Sequence, residues 1–183
     1  MKTHETKTQP IDLSGVALTG RVLDVGGGGE GIISRLGGDK VTAIDNSADE
    51  LAETPDIGIK IIMDARRLNF LNDYFDAVTC FYTLMYMDLP HIKKFLAEAR
   101  RVLKPNGSLL IWDAAIPASI TSDIFVARLA VKLSEELTIT VGYGAARRGE
   151  RSANIIRGLC ENEGFVFQSG CEDGESFSLC FRK

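Results

Sequence analysis

Three aspartates each follow a short aliphatic run: Asp24 after Val22 and Leu23, Asp45 after Ala43 and Ile44, and Asp64 after Ile61, Ile62 and Met63. Singly, each reads better as a helix cap or a solvated turn than as a site residue. Three of them after three successive aliphatic runs are harder to explain that way. Asp24 stands inside an apolar run, and a buried carboxylate persists only with hydrogen bonds or a cationic partner. A bound ligand is one source of that cation.

The stretch after Asp24 reads Val25, Gly26 to Gly29, Glu30, Gly31. Four glycines sacrifice about 0.5–1 kcal/mol each relative to alanine in regular structure, and a tight turn needs only one or two. The spacing Gly26-x-Gly28-x-x-Gly31 alone is a weak sign of a dinucleotide site. Glu30 argues against that ligand, because a pyrophosphate at the following helix start would be repelled by its carboxylate.

Strands and helices alternate around these residues. Strands are expected at 21–25, 41–45, 59–63, 75–82 and 108–113. A short helix should span 31–36 and end at Gly37-Gly38, and Ser47 with Glu50 has capping-box spacing. Ile92, Phe95, Leu96, Ala99, Val102 and Leu103 recur at helical spacing after Asp88 and Pro90, and the run stops at 104–107. A parallel sheet covered on both faces follows from this alternation. Residues 124–133 and 137–141 read as an antiparallel hairpin, 150–163 as a helix, and 165–169 with 176–181 as a closing antiparallel pair. The fold class expected is α/β, Rossmann-like and doubly wound, with seven mostly parallel strands, an antiparallel last strand and an inserted hairpin near 124–142. Residues 1–19 are polar, carry Pro10 and read as a loosely held arm ahead of one domain at 20–183.

Bulk properties exclude several functions. The 183 residues carry a net charge of -4, which offers no electrostatic footprint for nucleic acid or an anionic membrane. Cys80, Cys160, Cys171 and Cys180 lack paired spacing and only two histidines accompany them, so no metal site and a reduced, cytoplasmic setting are expected. No apolar run approaches the roughly 18 residues of a membrane span. A small-molecule partner, with the chain a monomer or homodimer, is the expectation.

Residues 22–29 resemble the first motif of the class I S-adenosylmethionine-dependent methyltransferases: an acid, then glycines at alternate positions, with Glu30 standing where a third glycine is usual. Phe75-Asp76-Ala77-Val78 and the run from Arg101 to Ile111 resemble the fourth- and fifth-strand signatures of the small-molecule, quinone-biosynthesis branch. The resemblance implies S-adenosylmethionine as cofactor and S-adenosylhomocysteine as product. It places the donor site on Asp24, Gly26, Gly27, Gly28 and Glu30, on Asp45 and Asn46, on Met63, Asp64 and Ala65, and on Cys80. Asp24 would receive the methionine ammonium, Asp45 both ribose hydroxyls and Asp64 the adenine amine, with Met63 packed on the base.

Methyl transfer is an in-line displacement, so the protein chiefly aligns the reactants and excludes water. Many relatives have a histidine pair where this chain has Met85-Tyr86, so a histidine base is missing. Tyr82, Tyr86, Asp113 and Tyr143 are the acceptor-site candidates, although aromatics at strand ends often belong to the core, Trp112 among them. His91 reads as a surface residue near a helix start, and Arg147, Arg148 and Arg151 as a solvated cluster. The catalytic residues stay unassigned. The reading is methyl transfer to a small molecule, against an aminopropyltransferase-like enzyme or a non-catalytic donor-binding subunit.

Overall fold

The computed structural model describes all residues 1–183. Its main sheet is built from β3 (Val22–Val25), β4 (Val41–Asp45), β5 (Ile59–Ile62), β6 (Phe75–Phe81), β7 (Leu103–Ala114), β10 (Val166–Asp173) and β11 (Ser176–Arg182). The strand order is β10-β11-β7-β6-β3-β4-β5. All neighbours from β7 to β5 run parallel, and β11 lies antiparallel to both β7 and β10. The chain thus winds outward from β3 to β5, returns to β6 and winds the other way. Ligands bind outside the carboxyl ends of strands at such a reversal, here the gap between β3 and β6.

The helices α1 (Ile32–Gly37), α2 (Ala48–Glu53), α3 (Leu89–Val102) and α4 (Ala153–Asn162) connect these strands. Helix α3 starts where Asp88 accepts the His91 N–H, at 2.9 Å, with Pro90 in its first turn. Ile92, Phe95, Leu96, Ala99 and Val102 form its buried stripe. With α4, this stripe covers one face of the sheet, against Leu23, Val78, Leu109 and Ile111. The helix ends at Val102, earlier than the Lys104–Gly107 stop signal, because Leu103 already pairs with Phe75 in the sheet.

On the opposite face of the doubly wound sheet, α1 packs beside a second sheet built around the inserted hairpin. The strands β8 (Ile124–Lys132) and β9 (Thr138–Ala146) form the expected hairpin, with β9 running five residues beyond 141. Phe125, Ala127, Leu129 and Val131 point inward from β8 and are buried against Val22, Ala77, Phe81 and Trp112 of the main sheet. The N-terminal arm is not loose. Its strands β1 (Thr3–Glu5) and β2 (Gln9–Asp12) both pair in parallel with β8, and Leu13 and Leu18 are buried. The arm completes this sheet because the outer edge of β8 otherwise leaves its backbone N–H and C=O groups unpaired. No helix is long and apolar enough to cross a membrane.

Candidate functional site

A cleft of about 640 Å³ opens at the strand reversal. Its floor is Val25, Gly26 and Gly28 after β3, and Phe81, Tyr82 and Thr83 after β6. The glycine loop closes tightly, with the N–H groups of Gly26 and Gly27 donating to the Ile44 carbonyl at 2.8 and 3.0 Å. Gly26 has φ +73, and a Cβ there would lie 2.2 Å from Thr83 Oγ1. A Cβ on Gly28 would lie 2.6 Å from the Glu50 Cβ and 3.0 Å from Asp45 Oδ2. Side chains are excluded at both positions, so the cleft has bare backbone for its floor.

Of the residues expected in the donor site, Gly26, Gly28, Asp45, Asn46, Met63, Asp64 and Ala65 line the cleft. Asp24, Gly27, Glu30 and Cys80 lie behind the lining. Asp24 is 2% exposed, and its Oδ1 accepts from Thr79 Oγ1 at 2.8 Å across the β3–β6 register. Burial pushes its carboxyl up to about 7, against the lowering by Thr79, and Asp45 adds to the rise. No cationic side chain compensates it. The Cys80 thiol is fully buried and held well above its ordinary range by burial, so it is inert there.

Asp45 divides its two oxygens. Oδ1 accepts the Ser47 N–H at 2.9 Å, and Oδ2 faces the glycine loop. Ser47 accepts the Glu50 N–H at 3.2 Å to start α2, but Asp45 takes the Ser47 N–H that the capping box would give to Glu50. The Glu50 side chain is thereby free to line the cleft. Burial first, then Asp45, Glu53, Glu30 and Asp49, raise its pKa. Asp64 sits against Arg66, whose Nη2 lies 2.5 Å from Oδ2 and whose backbone N–H donates to Oδ1 at 2.8 Å. The Arg66 hydrogen bonds hold the Asp64 carboxyl down to about 2.

The aromatic candidates Tyr82, Tyr86 and Tyr143 line the cleft with Phe81, and Phe81, Tyr82 and Tyr143 pack on one another. Tyr143 enters from β9, so the inserted hairpin contributes to the site. Tyr82 has φ +51, a left-handed conformation rare for a bulky side chain, and its hydroxyl lies 2.5 Å from Ser176 Oγ. Burial raises all three phenols, Tyr86 to about 12. None of them is ionised near neutral pH.

Asp113 is not a cleft residue, contrary to the sequence reading. It is 1% exposed, and its carboxylate accepts from the backbone N–H groups of Leu84 and Ala114 at 2.7 and 2.8 Å. Burial pushes it up to about 7. The basic cluster is likewise not a solvated face throughout. Arg148 lines the cleft, while Arg151 is buried. His91 lines the cleft too. Arg66 Nη1 can only donate, so His91 Nε2 accepts this bond, at 3.0 Å, and Nδ1 carries the proton toward Asp88 Oδ1, at 3.1 Å. Thr83, Glu50, Arg66 and Met87 also reach the cleft. Of these, Glu50 alone had a sequence signal, and it pointed to a cap.

Residues 23–111 match the methyltransferase domain family. The ubiquinone/menaquinone biosynthesis C-methyltransferase of Vibrio campbellii is 34% identical over 187 aligned positions, covering 92% of this chain and 71% of that enzyme. The corresponding Pseudomonas aeruginosa enzyme is 33% identical over 123 positions, covering 60% of this chain and 47% of its own. The chain thus spans about half the length of several curated relatives that it matches. The crystal structure of an S-adenosylmethionine-dependent methyltransferase from Mesorhizobium loti shares the fold, with a TM-score of 0.63 at 16% identity, covering 89% of this chain and 90% of that one. On these likenesses, this chain belongs to the class I S-adenosylmethionine-dependent methyltransferases.

Proposed function

We propose that this chain transfers a methyl group from S-adenosylmethionine to a small molecule with a planar, largely apolar body. One observation carries the reading: a single cleft is lined both by bare glycine backbone with carboxylates and by four aromatic rings. When bound, S-adenosylmethionine supplies an electrophilic methyl group on a sulfonium. The residues present fit that cofactor, because Asp24 is a buried carboxylate without a cation and the donor brings an ammonium. Asp45 would hold the ribose hydroxyls through the oxygen that Ser47 leaves unused. Asp64 would serve the adenine amine while sharing its charge with Arg66, and Met63 and Ala65 would pack on the base.

Tyr82, Tyr86 and Tyr143 orient the acceptor and keep water from the methyl group. The three phenols stay protonated, and the His91 Nε2 lone pair is taken by Arg66. No phenol or imidazole of the cleft therefore takes a proton from the acceptor, and the lining carboxylates, Glu50 with its raised pKa among them, are the groups that can.

Calorimetry against S-adenosylmethionine, S-adenosylhomocysteine and NAD tests the donor. A demethylated menaquinol, suggested by the relatives' names, and a small amine with isotopically labelled donor test the acceptor. Binding of S-adenosylhomocysteine and labelled methyl in a product is the expected result. Tight NAD binding without a response to S-adenosylhomocysteine overturns the proposal, and mass spectrometry separates methyl from aminopropyl transfer.

A further inference from the structure

The segment 83–87 lines the cleft: Thr83 packs on Gly26, and Tyr86 and Met87 belong to the wall. Only a single helical turn at Leu84–Tyr86 gives it internal order, closed by Tyr86 N–H to the Thr83 carbonyl at 3.1 Å and Met87 N–H to the Leu84 carbonyl at 3.0 Å. No strand pairs with it. Thr83 Oγ1 donates to the Val25 carbonyl at 3.0 Å and Leu84 and Met85 are buried, and two buried charged side chains that do not line the cleft hold the backbone at Leu84 and Met87. At the start, Leu84 N–H donates to Asp113 Oδ2 at 2.7 Å, and Asp113 is itself fixed by Ala114 N–H on Oδ1 at 2.8 Å. At the finish, Arg151 Nη2 donates to the Met87 carbonyl at 2.5 Å. Arg151 is in turn anchored by a two-way backbone pairing with Ile116, each bond 2.8 Å, and by Nη1 on the Glu150 carbonyl, also at 2.8 Å.

These charges are costly where they sit. Asp113 is 1% and Arg151 3% exposed, they form no direct ion pair, and Arg151 Nε has no hydrogen-bond partner. Each makes one hydrogen bond to the same short turn rather than to the other, so their effect is local.

We propose that Asp113 and Arg151 are positioning residues that clamp the 83–87 turn at its two ends and so fix Tyr86 and Met87 in the wall of the cleft. The functional half of this statement rests on the reading of the cleft as a donor and acceptor site; the clamping half does not. Loss of Arg151 frees the Met87 end and displaces the acceptor wall, while the carboxylates and glycines of the donor site stay in place. Lysine at 151 keeps the charge and one donor nitrogen but not the fork that reaches two carbonyls, so it restores the clamp only in part.

The test compares Arg151→Met, Arg151→Lys and a control, Phe165→Leu, which perturbs a buried ring packed on Phe181 away from the turn. Amide hydrogen exchange at residues 84–87 is read beside thermal unfolding, S-adenosylhomocysteine affinity and the KM for demethylated menaquinol. Arg151→Met should speed exchange at Tyr86 and Met87 by about tenfold or more beyond the control at matched loss of stability. The quinol KM should rise by a similar factor with S-adenosylhomocysteine affinity within about threefold, and Arg151→Lys should fall between. Exchange at Tyr86 and Met87 no faster than in the control overturns the clamp, as does a KM that moves only in step with donor affinity. If Arg151→Met does not fold, Arg151→Lys against the control decides on the same readouts. Should the wild-type protein bind no S-adenosylhomocysteine and methylate no quinol, the cleft reading fails and the exchange comparison still decides whether the pair holds the turn.

Discussion

Tyr82 and Tyr143 stack with ring centroids 5.6 Å apart and planes 18° apart, although they belong to different sheets. Tyr82 leaves β6 in a left-handed conformation with its hydroxyl on Ser176 of β11, and Tyr143 stands in β9 opposite Ala127. The contact therefore joins the parallel sheet, its antiparallel strand and the hairpin sheet at the cleft. Such a stack contributes about 0.5–1.5 kcal/mol beyond the area it buries. Tyr143→Phe should keep stability and donor affinity. Tyr143→Ala should lose roughly 2–4 kcal/mol by stack and cavity together and raise the acceptor KM. Thermal unfolding with steady-state kinetics checks both, and an alanine variant with unchanged KM would remove Tyr143 from the acceptor wall.

Asp45 has one oxygen in the fold and one toward the cleft, which separates two substitutions. Asp45→Ala should lose about 0.5–1.5 kcal/mol of stability with the Ser47 N–H bond. It should also weaken S-adenosylhomocysteine binding by roughly 2–4 kcal/mol, about 30- to 1,000-fold. Asp45→Asn keeps an acceptor for Ser47 and should restore stability without restoring affinity. Equal affinity for wild type and both variants would leave Asp45 as a turn residue only.

Arg66 occupies both oxygens of Asp64. The pair is partly exposed, with 42% and 43% of the side chains accessible, so its removal should change stability by no more than about 1 kcal/mol. Arg66→Met leaves Asp64 a free carboxylate acceptor, and S-adenosylhomocysteine binding should tighten by about two- to tenfold, since hydrogen bonds to an unshared charge are the stronger ones. Asp64→Ala should weaken it. Calorimetry that finds the two variants shifting affinity in the same direction counts against an Asp64 contact to the donor.

What the sequence reveals of this molecule depends on how far apart the interacting residues stand. Asp24, Asp45 and Asp64 are legible because each closes a strand whose apolar run is local, and parallel pairing then brings the three strand ends together. The hairpin is legible because Phe125, Ala127, Leu129 and Val131 alternate with period two. The arm is not, because β1 and β2 are short and polar and find their partner in β8, more than a hundred residues away. Arg151 looks like part of a charged surface run. It is buried because the Met87 and Glu150 carbonyls accept its guanidinium and Asp113 lies nearby, facts that no window of sequence contains. Thr83 and Arg66 reach the cleft through turns whose direction is set by packing on Gly26 and by the ion pair with Asp64.

Asp24 gives the sharpest prediction, because stability and ligand affinity should move in opposite directions. Burial raises its carboxyl from 3.8 to about 7 in the folded protein. Between those values the folded chain holds a proton that the unfolded chain has released, so this group's contribution to stability falls as pH rises from about 4 to 7 and stays low above it. Asparagine has no charge to bury and still accepts from Thr79 Oγ1. Asp24→Asn should therefore match wild type near pH 4 and gain stability progressively, reaching on the order of 2–4 kcal/mol above pH 7, at 1.36 kcal/mol per pKa unit less the cost of an ill-paired amide. Binding of the donor's ammonium loses its counter-charge in the same variant. S-adenosylhomocysteine affinity at pH 8 should drop by about tenfold or more, as expected where a site keeps a destabilising charge for its function. Thermal unfolding from pH 4 to 9 and calorimetry at pH 8 on this one substitution decide the matter: a variant less stable at every pH, with donor affinity intact, would make Asp24 a structural partner of Thr79 and remove it from the donor site.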